Sequence, residues 1–209
     1  MKTQNYSVIK LGKPHLREME RVLGSAFADN PFAGEFGGNA KYIGIVLGLL
    51  AWLAMKERET IALGATDGDS LAGLAVVVRG DWGLSPHAIV LSFLRLIFRL
   101  PWRVFRHTLS WMKKLGEAMQ NVEKRADERE LLLLGVVPEL HGKGIGRTLL
   151  EKCYEATVEQ GFRKMRVEVV GGTPAVAVYE KQGFVHECEF PYGDRTIRVM
   201  RRQCNEKSV

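Results

Sequence analysis

The residues best suited to chemistry form one short stretch, Pro138-Glu139-Leu140-His141-Gly142-Lys143-Gly144-Ile145-Gly146-Arg147-Thr148, between an apolar run and an amphipathic one. Its glycines remove the side chains that would hold an anion off the backbone. Free N–H groups at the start of the following helix would carry partial positive charge. A phosphate or pyrophosphate is the expected guest, although glycine turns before a helix also occur for packing alone. There is no Gly-x-Gly-x-x-Gly followed by a ribose-binding acid and no Gly-Lys-Ser/Thr, so neither a dinucleotide nor a nucleoside triphosphate is favoured. Cys153, on the amphipathic run after the loop, has no adjacent histidine to activate it and reads as a buried structural thiol.

The elements that must position this loop follow from periodicity. Tyr6 to Lys10 alternates as a first strand. Pro14 to Ala28 carries Leu16, Met19, Val22, Leu23, Ala26 and Phe27 at helical spacing and stops at Asp29-Asn30-Pro31. Ala40 to Arg58 reads as a second helix. Ile61 to Thr66 and Leu71 to Arg79 read as a hairpin about Asp67-Gly68-Asp69-Ser70. Ser85-Pro86 offers an N-cap and first-turn proline for a helix that Leu100-Pro101 interrupts, and a second helical piece follows to Gly116. Asn121 to Arg129 is charged, as helix or loop. The apolar run Leu131 to Val136 reads as a strand buried on both faces at the centre of a sheet. Gly144 or Ile145 to Gln160 is a helix stopped by Gly161, Lys164 to Val170 a strand, and Thr173-Pro174 the opening of a short helix. Strand, helix, strand in this order implies a right-handed parallel crossover. Val185 to Phe190 and Ile197 to Arg201 close the chain as a hairpin.

The chain has 209 residues, 46% apolar and 26% charged, which is enough for one domain with its own core and excludes collagen-like and disordered classes. Three widely spaced cysteines, Cys153, Cys188 and Cys204, fit a reducing compartment and offer no metal-binding pair. The polar opening Met1-Lys2-Thr3-Gln4-Asn5 does not resemble a secretory leader, so the cytoplasm is the expected location. The uncharged stretch Tyr42 to Met55 falls short of the roughly 20 residues of a spanning helix and reads as a buried helix. The net charge of +6 has a regional origin: Trp82 to Gly116 contains no Asp or Glu but holds Arg95, Arg99, Arg103, Arg106, Lys113 and Lys114.

The pattern around the glycine loop resembles the GNAT superfamily of acetyl-CoA-dependent N-acetyltransferases. Val136-Val137-Pro138, His141, Gly144 and Gly146 follow its central motif, with His141 where Arg or Gln is usual. Ala175, Tyr179, Glu180, Lys181, Gly183 and Phe184 follow its second motif, with Gly172 in place of a usual Asn. The resemblance covers Glu130 to about Met200 well and the first 80 residues only through element order and the turn at Ala26 to Pro31. A helical insert before the central strand gives a layout similar to the puromycin N-acetyltransferases, which speaks to layout and not to substrate.

The resemblance implies an α/β (α+β) fold: a mixed central sheet flanked by helices, as a single acetyltransferase domain over 1–209 with a helical insert at 82–120. It implies acetyl-CoA as co-substrate, in a gap between two parallel strands. Leu134 and Val136 would pair with the pantetheine arm. The diphosphate would rest on Gly142, Lys143, Gly144, Ile145 and Gly146, with His141, Arg147 and Thr148 also at the cofactor. The expected activity is acetylation of a primary amine on a small molecule, by direct attack on the thioester. The alternatives are a non-catalytic acyl-CoA-binding module and a protein N-terminal or lysine acetyltransferase. An alkyl amine near pKa 10 is mostly protonated at neutral pH, so a base is required. Glu130 is the candidate, with Glu168, His87 and His107 as rivals; the run Glu123 to Glu130 also fits a solvated charged face. Tyr179 would protonate the departing thiolate, and its ring also fits a core position.

For the basic insert, Arg95, Arg99, Arg103 and Arg106 make one helical stripe beside an apolar one of Leu91, Leu94, Phe98, Trp102, Phe105 and Leu109. A lid lining the acceptor pocket, recognition of an acidic acceptor or of the cofactor's phosphates, and attachment to an anionic membrane surface all fit it. Nucleic acid is not an expected partner, since no recognition motif accompanies the charge. A homodimer is compatible with the sequence.

Overall fold

A computed structural model describes residues 6–83, 85–119 and 122–204. Seven strands form one sheet in the order β1-β2-β3-β4-β5-β7-β6. They are β1 (Ser7–Lys10), β2 (Ile61–Asp67), β3 (Ser70–Arg79), β4 (Arg129–Val136), β5 (Lys164–Val170), β6 (Val185–Tyr192) and β7 (Arg195–Gln203). Only β4 and β5 pair in parallel; every other pair is antiparallel. β4 is the middle strand, as its apolar run predicts. The helix between β4 and β5 supplies the crossover a parallel pair requires.

The helices are α1 (Leu16–Ala26), α2 (Ala40–Ala54), α3 (Pro86–Ile97), α4 (Trp102–Met119), α5 (Ile145–Glu159) and α6 (Pro174–Lys181). Most begin where sequence chemistry places them. Asn39 caps α2 by accepting from the Lys41 amide, and Ser85 caps α3 by accepting from the Ala88 amide. Two differ. α2 ends at Ala54, one turn before its expected end at Arg58, because the Thr60 hydroxyl donates to the Ala54 carbonyl at 2.6 Å and the chain turns into β2. Thr173 precedes α6 without capping it; its hydroxyl donates back to Val170 at the end of β5. The charged stretch before β4 is loop over 122–128, and Asn121 lies outside the described residues.

Two apolar cores sandwich the sheet. One packs α1, α2 and parts of α3 and α4 onto one face, through residues such as Met19, Leu23, Ile43, Phe36, Leu74 and Phe105. The other packs α5 and α6 onto the opposite face, through Ile145, Leu149, Leu150, Met165, Val167 and Tyr179. Alternation along the strands assigns each side chain to a face. β4 breaks that alternation: Val76 pairs with Leu133 and Val77 with Leu131, so Leu132 is an extra, bulged residue. Leu131 therefore joins the α5 core, whereas Leu132 and Leu133 both turn to the α1 side.

The α1–α2 contact rests on glycine. A Cβ at Gly44 would lie 2.1 Å from the Glu20 carbonyl oxygen, and one at Gly24 would lie 2.2 Å from the Ala40 carbonyl oxygen. Both obstacles are backbone atoms, so relief requires separating the helices. Gly44→Ala should cost about 1–3 kcal/mol, read as a lower urea midpoint with an unchanged slope. An unchanged midpoint would show that the helices are not this close.

Candidate active site

The pairing of β4 with β5 covers three positions, Arg129 with Met165, Glu130 with Arg166 and Leu131 with Val167, and ends there. Beyond it β4 continues to Val136, paired only with β3, and β5 continues to Val170, paired only with β7. The strands part at the bulged Leu132, leaving the facing edges of Leu133 to Val136 without strand partners. An extended ligand with amide groups can add to such an edge as a strand would. Leu134 and Val136 lie on this edge, half-buried, with side chains in the α5 core.

The glycine loop caps the open end of the gap. A short 3₁₀ turn, Pro138–Leu140, leads from β4 into it, and the His141 ring turns back so that Nε2 lies 2.9 Å from the Val136 carbonyl. His141 is thus held to the end of β4, and its imidazole is committed to the protein's own backbone. Gly142 (φ 76°) and Gly144 (φ 83°) adopt left-handed backbone, and Gly144 is the N-cap of α5. A Cβ at either would meet nothing within 4 Å, so the space beside them is open. Among the described residues, the N–H groups of Gly142, Lys143, Gly144, Ile145, Gly146 and Arg147 meet no acceptor; the next, Thr148, donates to Gly144 at 3.0 Å. Six consecutive free donors at the start of a 15-residue helix fit a diphosphate. Lys143 and Arg147 are exposed there, and the Arg147 guanidinium also reaches Glu151 at 2.9 Å. Ile145 is buried beneath the loop and anchors it.

Tyr179 and Cys153 lie on the α5 side. The Tyr179 ring is buried edge-on against Phe184, with centroids 5.4 Å apart, in the same core as Ile145 and Val167. Burial, with Tyr154 nearby, pushes its phenol well above the usual tyrosine range, so it stays protonated and can act only as a donor. Burial alone pushes the Cys153 thiol up to about 12, which leaves it without nucleophilic thiolate. Gly172, in the family's Asn position, has φ 75°, a conformation that Gly and Asn share. The turn is kept while the side-chain amide is gone.

The charged run before β4 is not a solvated face at its C-terminal end: Glu128, Arg129 and Glu130 are all buried. Arg166 of β5, with no exposure, organises the two glutamates. Its guanidinium donates to Glu128 at 3.2 Å, to the Glu123 carbonyl at 3.1 Å, to the Gly80 carbonyl at 3.3 Å, and to Glu130. Arg201 closes the network by donating to Glu128 at 2.6 Å. Burial raises the Glu130 carboxyl above the usual carboxylate range, against the opposing pull of Arg166. Glu130 belongs to the closed part of the strand pair and is engaged by Arg166.

Glu168 is placed differently. It is the first residue of β5 beyond the last paired position, and it faces the α1 side because Val167 and Val169 face α5. Its carboxylate lies 3.4 Å from the Arg166 Nε, and its Oε1 is buried with no hydrogen-bond partner among the described residues. Burial first, and then the Glu130 charge, push it up to about 7. A carboxyl with a pKa of about 7 just past the last paired position can gain or lose a proton near neutral pH. His87 and His107 are exposed on α3 and α4. The family resemblance places Glu168 behind Glu130; the register of β5 against β4 sets it just past the last paired position.

The α1 side of the gap is roofed. Arg195, at the β6–β7 turn, donates to the Pro31 carbonyl in the α1–α2 connection. Phe32 meets Tyr192 edge-on at 5.2 Å, and Phe36 meets Trp111 of α4 at 5.0 Å. The Tyr192 hydroxyl and Trp111 Nε1 are buried without partners among the described residues, which leaves polar atoms in an aromatic surround.

Comparison with known proteins agrees with this geometry. Residues 47–184 match the model of the acetyltransferase (GNAT) family. No match is found among curated proteins. The fold is similar to that of arylalkylamine N-acetyltransferase 2 from Aedes aegypti (TM-score 0.68, 19% identity, 96% of this chain and 100% of that one). It is also similar to the PaiA N-acetyltransferase from Thermoplasma acidophilum in complex with coenzyme A (0.60, 18%, 95% and 99%). The ribosomal-protein-S18-alanine N-acetyltransferase from Escherichia coli is a further match (0.56, 15%, 98% and 99%).

If the loop amides grip a diphosphate, Gly144→Ala should weaken coenzyme A binding about tenfold or more in calorimetry, since a Cβ there projects into the open cradle. The strained φ should also cost about 1–2 kcal/mol of stability. Unchanged affinity would remove the loop from the binding site.

Proposed function

Because the chain belongs to the acetyltransferase (GNAT) family, with acetyl-CoA as its acyl donor, we propose that it acetylates the primary amine of a small molecule by direct attack on the thioester. Bound acetyl-CoA supplies an electrophilic carbonyl and a thiolate leaving group. In this reading the whole chain is one catalytic unit, with 82–120 as its helical insert. The main-chain amides of Gly142 to Arg147 hold the diphosphate. The free edge of β4 at Leu134 and Val136 orders the pantetheine amides. His141, fastened to the Val136 carbonyl, and Thr148, in the first turn of α5, shape the cradle around them.

The observation that carries the proposal is the Glu168 carboxylate, just past the last paired position of β5, with Oε1 3.4 Å from the Arg166 Nε but in no hydrogen bond among the described residues, and with a pKa pushed up to about 7. We assign the base to Glu168 and give Glu130 the part of holding Arg166. An ammonium entering the gap loses a proton to Glu168. The nitrogen lone pair then forms the C–N bond, the C–S bond breaks with its electrons on sulfur, and the second nitrogen proton passes to solvent as the neutral amide forms. Tyr179, kept protonated by burial, donates toward that sulfur. A small acceptor is supported by the aromatic cluster of Phe32, Phe36, Trp111 and Tyr192 on the α1 side of the sheet, which offers apolar surface to an acceptor's carbon frame.

The base works only when ionised, so kcat/KM should rise with pH through about 7 and level off above it. Glu168→Gln should flatten that limb and lower kcat/KM about a hundredfold or more. Glu130→Gln removes a like charge beside Glu168 and should move the limb to lower pH. A limb abolished by Glu130→Gln but kept in Glu168→Gln would return the base role to Glu130. Tyr179→Phe should lower kcat about a hundredfold with coenzyme A affinity nearly unchanged; equal loss of both would remove the donor role. A thiol-release screen with acetyl-CoA across small amines and peptides tests the acceptor. Turnover on peptides alone would reassign the substrate, and coenzyme A binding without any turnover would indicate a non-catalytic module.

A further inference from the structure

We infer that the two-helix segment α3–α4 is a docking surface for an anionic lipid bilayer, lying on the membrane without entering it. Nine large apolar side chains are exposed among the described residues, and seven of them lie between Ile89 and Trp102; Val178 and Val185 are the other two. Phe98 is 87% exposed and Trp102 is 62% exposed. α3 is apolar on nearly all sides, yet only Ser92 and Leu96 of its described side chains are buried. A helix apolar all round is ordinarily covered all round. Here one side is seated on the body and the other is open, and so contiguous an apolar exposure marks a contact site.

Charge identifies what covers it. Trp82 to Gly116 carries six Lys and Arg and no acid. Two of these hold the segment to the body: Arg95 stacks on the Trp52 ring at 3.8 Å, and Arg99 pairs with Glu20 at 2.7 Å. Arg103 and Arg106 are exposed beside Trp102 and meet no acid among the described residues. Lys114 continues the basic side along α4, and Lys113 there pairs with the exposed Glu117 at 3.9 Å. Aliphatic side chains flanked by Phe and Trp, with arginines alongside, match the layers of an interface: acyl chains, then the headgroup level, then anionic phosphates. A second copy meeting this face about a two-fold axis would bring Arg103 and Arg106 of both copies together, which opposes a dimer. A protein partner would be read through placed polar contacts, and the patch between Ile89 and Phe98 presents almost none outward. No helix among the described residues is long and apolar enough to cross a membrane, so the contact is with the surface.

Co-sedimentation with vesicles tests this. The full chain should partition onto phosphatidylcholine vesicles containing phosphatidylglycerol, bind pure phosphatidylcholine far less, and be released by salt. Arg103→Gln with Arg106→Gln should lower the partition about thirtyfold, and Phe98→Ser about tenfold. Both variants should keep the melting temperature and the coenzyme A affinity of the parent, since these side chains are exposed and outside the site. No partition onto anionic vesicles, or partition indifferent to these substitutions, would overturn the inference. So would a dimer in light scattering that Phe98→Ser dissolves, which points to a second copy. Tighter binding to soluble polyglutamate than to the vesicles would point to an acidic protein instead.

Discussion

Three paired positions and then a parting: the hydrogen bonding between β4 and β5 stops after Leu131 and Val167, and most of the site follows from that stop. A fully zipped central pair would bury every amide of both strands and leave nothing for a ligand. The bulge at Leu132 adds a residue against β3, increases the local twist and turns the rest of β4 away from β5. The free edge, the cradle at its end and the carboxylate at its fork are consequences of one irregular residue in the middle strand.

The fork also separates two electrostatic environments. On the paired side, both Nη atoms of Arg166 donate to the carboxylates of Glu128 and Glu130 and the carbonyls of Glu123 and Gly80, and a buried charge is tolerated only with such acceptors around it. On the open side, Glu168 Oε1 lies 3.4 Å from the Nε of the same arginine, with no hydrogen bond to it or to any other described residue. Two glutamates on neighbouring strands thus differ in kind. One is a member of a closed network, and the other is desolvated, beside a like charge and free to exchange a proton. On the opposite face Tyr179 is buried without any charged partner, which holds its proton in place.

The α1–α2 pair and the α3–α4 segment share the acceptor side but are attached by different means. Gly24 and Gly44 bring α1 and α2 into backbone contact, a rigid packing with no room for adjustment. The α3–α4 segment is fastened by a few anchors, Leu96, Leu100, Phe105 and Trp111 inward, with Arg95 and Arg99 at the rim. A rigid floor with a lightly seated, outwardly apolar attachment is consistent with chemistry on one part of the face and docking on another.

Much was legible in the residues themselves. The order of strands and helices, the central place of Leu131 to Val136, the glycine cradle, the cap at Ser85 and the family signature at Tyr179 all depend on local spacing and on side-chain types at fixed offsets. Backbone geometry and periodicity are properties of neighbours in sequence, so a sequence carries them. The family's motif residues also directed attention to Glu130, and the charged run around it fitted solvent as well as chemistry. What only the tertiary structure decided was which carboxylate stands at the fork. That depends on the parallel register of β4 against β5, on the bulge that ends their pairing, and on Arg166 and Arg201 arriving from distant strands to engage Glu128 and Glu130. The exposure of the apolar face of α3 is of the same kind. A helical pattern states that a side chain is apolar, but only the packing of the whole chain decides whether anything covers it.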